Sequence, residues 1–328
     1  MASRGARFAS SVLLGLIALA GCDRSLPNPP GSVATTAPLP GGRAPSATAP
    51  DPWAAKPVVR DPLKKPLLWS ATKDGHTVYF LGTIHMGVDA EARLPQIVFD
   101  KLDSAPAFAM ETDISDPSVA KAGDRDAGGS LHEDLGSAYY AKLETQITPN
   151  MAKAIDGKKA LVAATLLSLK GLPTTPPMDR VLLGHALDHH EKIIYLEPAK
   201  LQVEVLEKYM TVRELKSMLD HPERGPVALK KSLDGYLAGD ESAFLAVADE
   251  EKAEALADGY TEAEYMDAQE ALIYRRNASW IDRIEQLAKE GGGFVAVGAM
   301  HLVGPRSVLD LLSQRGFEIK RVDAPPAK

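Results

Sequence analysis

The sequence predicts an α/β fold of the α+β kind: a mixed β-sheet with a large helical insertion, preceded by an N-terminal signal and a disordered linker. Three observations carry this. Short apolar runs at residues 67–72, 76–81, 107–110, 192–196, 294–297 and 317–322 alternate with stretches of helical spacing. The first two runs flank Lys73-Asp74-Gly75, and Asp-Gly between apolar runs marks a tight hairpin. Between the third run and the fifth, most of the chain has the period of helices. Strands that alternate with helices after an opening hairpin form a mixed sheet.

The elements follow in order. Arg4 and Arg7 precede the apolar residues 12–20, which end at Gly21-Cys22. A charged start, a short apolar stretch and small residues describe a secretory signal, too short for a lasting membrane span. Leu19-Ala20-Gly21-Cys22 resembles a bacterial lipobox, so residues 1–22 read as a lipoprotein signal peptide with Cys22 as the lipidated, palmitate-bearing first residue of the mature chain. Several acyl chains suffice for stable anchoring. The expected location is the bacterial cell envelope, lipid-anchored and facing the periplasm. Asp23 resembles an inner-membrane retention signal; the outer membrane is the alternative. Residues 23–62 are rich in Pro, Ala, Ser, Thr and Gly and read as a disordered tether. At ~3.1 Å per residue its extended reach is on the order of 120 Å.

Residues 63–325 read as the folded domain. After the hairpin, residues 94–102 have helical spacing, and residues 107–110 form a third strand that ends in Glu111-Thr112-Asp113. Residues 123–129 are a polar loop; residues 151–170 and 179–190 read as helices broken by Thr174-Thr175-Pro176-Pro177. The strand at 192–196 ends at Glu197-Pro198, and residues 201–220 and 227–247 are again helical. A long helix over 261–289 carries Arg275, Arg276, Asn277 and Trp280 and stops at Gly291-Gly292-Gly293. A buried strand at 294–297, a helix over 305–315 and a closing strand at 317–322 complete the chain.

The 328 residues carry a net charge of −7 and a single cysteine. No basic face interleaved with aromatics is present, which argues against nucleic acid as a partner. One cysteine excludes an intrachain disulfide and a cysteine-based metal centre. No phosphate loop and no G-x-S-x-G nucleophile elbow occur: Gly291-Gly292-Gly293 precedes a strand, not a helix.

Four strand ends carry His85, Glu111, Glu197 and His301, and strand carboxyl ends are where α/β sheets bind ligands. His85 and His301 arrive by one device: an apolar strand, Gly82 or Gly298, two residues, then the histidine. A glycine there is expected to let the backbone turn sharply toward a ligand. Two imidazoles and a carboxylate within one pocket match the ligands of a first-row divalent metal in type and number, with positions open for water. Read singly, each histidine is instead a hydrogen-bonded turn residue. Thr83 either donates to a bound oxyanion or caps a helix turn. One of Arg275 and Arg276 is expected to face inward and to meet an anionic ligand or to pair with Glu111 or Asp113. His185 and His189 have the spacing of helical zinc ligands, but Ala186 stands where a metalloprotease has glutamate, so they read as a solvated face.

Taken in order, Leu81-Gly82-Thr83-Ile84-His85, Met110-Glu111-Thr112-Asp113, Met178-Asp179, Leu196-Glu197 with Gln202, Arg276-Asn277 with Trp280, and Val297 through Pro305 resemble the TraB/GumN (TraB/PrgY/GumN) family, as do residues 309–312 and 315–317. That family is related to the Tiki metalloproteases. The resemblance covers residues 66–323 and implies a TraB/ChaN-like mixed sheet, similar to ChaN and to erythromycin esterase-like proteins. It implies a metal held by His85, His301 and Glu111, catalytic or supporting roles for Glu111, Arg276 and Asn277, and a peptide substrate. The expected function is a membrane-tethered, metal-dependent, peptidase-like hydrolase. The alternative is a non-catalytic envelope lipoprotein that binds or sequesters a peptide, metal or haem. A third reading is a metal-independent hydrolase with a histidine base.

Overall fold

Asp74 and Gly75 have φ of 53° and 80°, the paired left-handed values of a type I′ turn, and they close the expected hairpin. The structure, a computed structural model, describes residues 61–325 apart from residues 86, 126–127 and 174. The signal segment, Cys22 and the tether lie outside the described residues.

Strands β1 (Leu68–Lys73) and β2 (His76–Thr83) pair antiparallel, Leu68 opposite Leu81. Helices α1 (Ala90–Arg93) and α2 (Gln96–Asp103) lead to β3 (Ala107–Met110). The single helix expected over 94–102 starts later because Pro95 caps α2 and offers no N–H to an earlier turn. Between β3 and β4 (Lys192–Tyr195) run α3 (Pro117–Lys121), α4 (Leu131–Leu135), α5 (Ser137–Ile147), α6 (Pro149–Ala154), α7 (Ala160–Ser168) and α8 (Met178–Asp188). Between β4 and β5 (Gly293–Gly298) run α9 (Ala199–Tyr209), α10 (Val212–Asp220), α11 (Arg224–Ala238), α12 (Glu241–Ala257) and α13 (Glu262–Gln269). A π turn, Glu270–Tyr274, then joins α13 to α14 (Arg275–Lys289). Helix α15 (Val308–Gln314) and β6 (Glu318–Arg321) close the chain.

Several expected helices are broken by local chemistry. The run over 201–220 divides where Thr211 accepts from the Glu214 amide and so starts α10. The run over 227–247 divides at Gly239, whose φ of 67° ends α11 in a left-handed cap. The run over 151–170 divides after Ala154, and its first half begins at Pro149.

The sheet order is β4-β3-β5-β2-β1-β6. β4, β3, β5 and β2 are mutually parallel; β1 and β6 add antiparallel partners at one side. Four carboxyl ends therefore share one edge of the sheet, with Gly298 opposite Thr83 and Met110 opposite both Ala296 and Tyr195.

Two apolar cores support this edge. The sheet core holds Phe80, Phe108, Phe294 and Trp280; the helical core holds Leu143, Leu215 and Leu272. The π turn puts Leu272 and Ile273 into the helical core, while Trp280 and Ile284 of α14 enter the sheet core. Arg276 lies between these two sets in sequence, at the seam. No helix among the described residues is long and apolar enough to cross a membrane.

Candidate functional site

The residues that follow the four parallel strands are polar and converge. His85 follows β2, Glu111 follows β3, Glu197 follows β4, and a single 3-10 turn after β5 carries His301. Glu111, Glu197 and His301 are buried.

His85 is clamped by the start of α8. Its Nδ1 hydrogen bonds Asp179 Oδ2, and Thr83 Oγ1 donates to Asp179 Oδ1 at 3.1 Å. The Met178 amide donates to the His85 carbonyl at 3.1 Å. Burial pulls the imidazole pKa down, but the charge and hydrogen bond of Asp179, aided by Glu111, hold it above the ordinary histidine value. Thr83 is thus spent on Asp179; it neither caps a helix nor donates into the cleft.

His301 is held by α14. Asn277 Nδ2 donates to the Arg306 carbonyl at 3.0 Å, so its Oδ1 faces His301 Nδ1 at 2.6 Å. That contact assigns the proton to Nδ1 and leaves a lone pair on Nε2. Arg276 Nη1 lies 3.2 Å from Nε2, and the Trp280 ring packs with its centroid 4.7 Å from the imidazole's. Burial, outweighing the Glu111 charge, pushes the His301 pKa down to about 3, so the ring is neutral. Asn277 is thus buried as the holder of His301, bridging it to the Arg306 carbonyl.

Glu111 divides its two oxygens. Oε2 accepts from Arg276 Nη2 at 2.6 Å and from Gln202 Nε2 at 2.9 Å. Oε1 accepts from the Gly298 amide at 2.8 Å and stands 3.8 Å from His301 Nε2. Burial disfavours its charge, but the charge His301 carries once protonated, the charges of Arg276 and His85, and the Gly298 N–H hold the carboxyl well below the usual range. A carboxylate so acidic is a poor proton acceptor near neutrality, and its suited role is a fixed negative charge or a ligand.

Of the two arginines Arg276 is the inward one; Arg275 reaches Asp267 on the outside. The ion pair with Glu111 is present, but the second partner is Glu197 and not Asp113. Arg276 Nε and Nη2 bind Glu197 at 3.0 and 2.6 Å, Nη2 binds Glu111, and Nη1 binds the Leu272 carbonyl at 2.9 Å and His301. A guanidinium has five N–H groups, and each has an acceptor. In this state Arg276 has no donor free to steady an oxyanion. Trp280 Nε1 adds a bond to Glu197 at 3.2 Å.

The glycines act by lacking a side chain, not by a sharp turn. Neither Gly82 nor Gly298 is among the positive-φ glycines, and Gly298 has φ −51°. A Cβ on Gly82 would meet Leu67 Cβ and Ala299 Cα at 3.2 Å, so the glycine lets β2 approach the turn that carries His301. A Cβ on Gly298 would meet Glu111 Oε1 at 3.3 Å and both His301 Cδ2 and His85 Nε2 at 3.6 Å. All three candidate ligands therefore gather around one bare Cα.

The donor set suits a first-row divalent ion in kind and orientation. Each histidine is held through Nδ1 by an oxygen, the usual outer-shell arrangement for a ligand that binds through Nε2. Two buried carboxylates, Glu111 and Glu197, share the Arg276 guanidinium, and a third, Asp179, pairs with His85. Two features stand apart: His301 Nε2 already accepts from Arg276 Nη1 at 3.2 Å, and the spacing is open. Ligands of one ion lie about 2.0–2.2 Å from it. His85, Glu111 and His301 do not offer ligand atoms that all fall within 4.8 Å of one another. Among the described residues that closeness occurs elsewhere, at Asp103, His185 and His189.

Two residues of the site escaped sequence reasoning as participants. Asp179 and Gln202 figure in the sequence only as parts of the family pattern. Nothing local links either to a strand end 94 or 91 residues earlier.

The sequence model of the TraB/PrgY/gumN family matches residues 67–321. The uncharacterized protein YbaP of Escherichia coli (strain K12) is 25% identical over 272 residues, which cover 75% of this chain and 96% of that protein. YbaP of Shigella flexneri matches with the same identity and coverage. No solved structure matches the chain at comparable significance.

Proposed function

Because the chain belongs to the TraB/PrgY/gumN family, we propose that its strand-end cleft is the centre of a metal-dependent hydrolase acting on peptide bonds, tethered to the cell envelope through Cys22. One observation carries the reading: both histidines are held through Nδ1, and His85 Nε2, His301 and Glu111 Oε1 gather at Gly298. The expected kinship of the TraB/GumN family with the Tiki metalloproteases motivates a peptide as the substrate class.

His85, His301 and Glu111 would hold the ion, which when bound would polarise a carbonyl and make a bound water more acidic. The remaining residues position these three. Asp179 fixes His85, Asn277 fixes His301, and Arg276 with Gln202 keeps Glu111 ionised and oriented. Glu197 and Trp280 in turn fix Arg276 and the wall behind His301.

The open spacing of the three ligands and the full engagement of Arg276 favour a second reading, in which the cleft works without a metal. His85, paired with Asp179, would then take and return the proton of an attacking water. Sequestration of a peptide, metal or haem is the non-catalytic form of the same cleft.

Metal analysis of the purified chain separates these readings. The first expects manganese, cobalt, zinc or iron at the cleft, reduced by one ion per chain when His85→Ala and His301→Ala are combined, with peptide cleavage abolished by chelation. Cleavage that survives exhaustive chelation favours the metal-free centre. A bound metal with no peptide cut in a mixed library favours sequestration.

A further inference from the structure

We propose that the corner between α2 and α8 is a second divalent-cation site of the zinc class, built by Asp103, His185 and His189 with Glu191 beside them. This corner lies away from the strand-end cleft. His185 and His189 are four residues apart on α8 and so share one face, their rings parallel with centroids 6.4 Å apart and planes 5° apart. One ligand atom from each of Asp103, His185 and His189 lies within 4.8 Å of the other two. Asp103 Oδ1 is 3.9 Å from His185 Nδ1; His189 Nδ1, 3.4 Å from the same oxygen, donates to the His185 carbonyl at 2.9 Å, which leaves Nε2 as the lone-pair nitrogen of that ring.

The surroundings are those of a metal ligand set. His185 Nε2 lies 2.9 Å from Glu91 Oε1, an outer carboxylate that fixes the ring and leaves Nδ1 as the lone-pair nitrogen toward Asp103. Phe99, with its ring centroid 4.7 Å away, seats the same imidazole. Three carboxylate oxygens here, Asp103 Oδ1 and both Oε atoms of Glu191, are buried with no hydrogen-bond partner. Such orphaned acceptors are costly, and a cation satisfies them. The site also sits at the last turn of α8, where the helix dipole is negative and favours positive charge. Side-chain exposures of 29–30% for His185 and Asp103 and 45% for His189 leave an entry path and room for water ligands. The absent glutamate after His185 does not count against this, because that residue serves a protease as base and not as ligand. A cation bound here staples α8 to α2. The first turn of α8 carries Asp179, so the staple also steadies the residue that holds His85.

Zinc titration of the metal-stripped full chain in detergent tests this, read by calorimetry and by melting temperature. We expect saturable micromolar or tighter binding that raises the melting temperature. His189→Ala and His185→Ala should each weaken it by about tenfold or more, and Asp103→Asn should weaken it while preserving shape. His301→Ala should leave it intact. His189 is exposed, so its variant keeps the fold; circular dichroism confirms this. Binding unmoved by all three corner variants, saturation only at millimolar zinc, or a zinc response that vanishes in His301→Ala would each overturn the proposal.

Discussion

Arg276 is the residue on which the strand-end cleft depends. It is buried with Glu111 and Glu197, and its five N–H groups are all spent there and on Leu272 and His301. Arg276→Met would leave two carboxylates without their cation. Breaking a buried pair from one side costs about 3–5 kcal/mol, and urea unfolding should show a loss of that size; a loss below about 1 kcal/mol would mean that the cluster is not a paired unit. His85 makes a pH-dependent contribution. Its pKa stands above the ordinary 6.5 because Asp179 stabilises the protonated ring against the effect of burial. That stability is complete below the unfolded value and fades as pH rises through the folded one. In chelator-treated protein, Asp179→Asn should therefore destabilise more at about pH 5.5 than at about pH 9. Equal losses at both would show that Asp179 contributes only packing.

At the scale of elements, the end of β5 and the π turn set the site. Gly298 places its amide on Glu111 Oε1 and its bare Cα among three candidate ligands. Its φ of −51° suits alanine, and an added Cβ at 3.3 Å from Glu111 Oε1 needs only a small shift. Gly298→Ala should cost about 1 kcal/mol of stability while weakening metal binding and cleavage at the cleft by tenfold or more. An unchanged metal affinity would remove the cleft from consideration as a metal centre. The π turn has a related purpose. Arg276 Nη1 takes the carbonyl of Leu272, a residue of that turn. Such π segments recur at functional sites because they re-aim the residues that follow. Here those residues are Arg276, Asn277 and Trp280, three of the groups packed around His301.

At the scale of the whole molecule, residues 23–62 are the expected tether between Cys22 and the domain that carries the cleft. Cys22→Ala should move the protein from the membrane to the soluble envelope fraction, and retention in the membrane would exclude lipidation as the anchor. Within the domain, four parallel strands deliver their end residues to one edge. The strands and their polar ends were legible in the sequence: Asp74-Gly75 specifies its own turn, apolar runs specify strands, Glu111 and Glu197 stand directly after theirs, and His85 and His301 follow theirs by a glycine and two residues. The breaks within the helical insertion were less legible. Gly239 and Thr211 end or start helices through a left-handed cap and a side-chain bond, which compete closely with simple continuation. The tertiary structure alone decided the pairings: Asp179 on His85 across 94 residues, Arg276 on Glu111 across 165, and Asp103 beside His185 and His189. The reason is physical. Strand and turn preferences act between near neighbours and leave a periodic trace, whereas a buried charge selects its partner from whatever the folded sheet brings within about 4 Å.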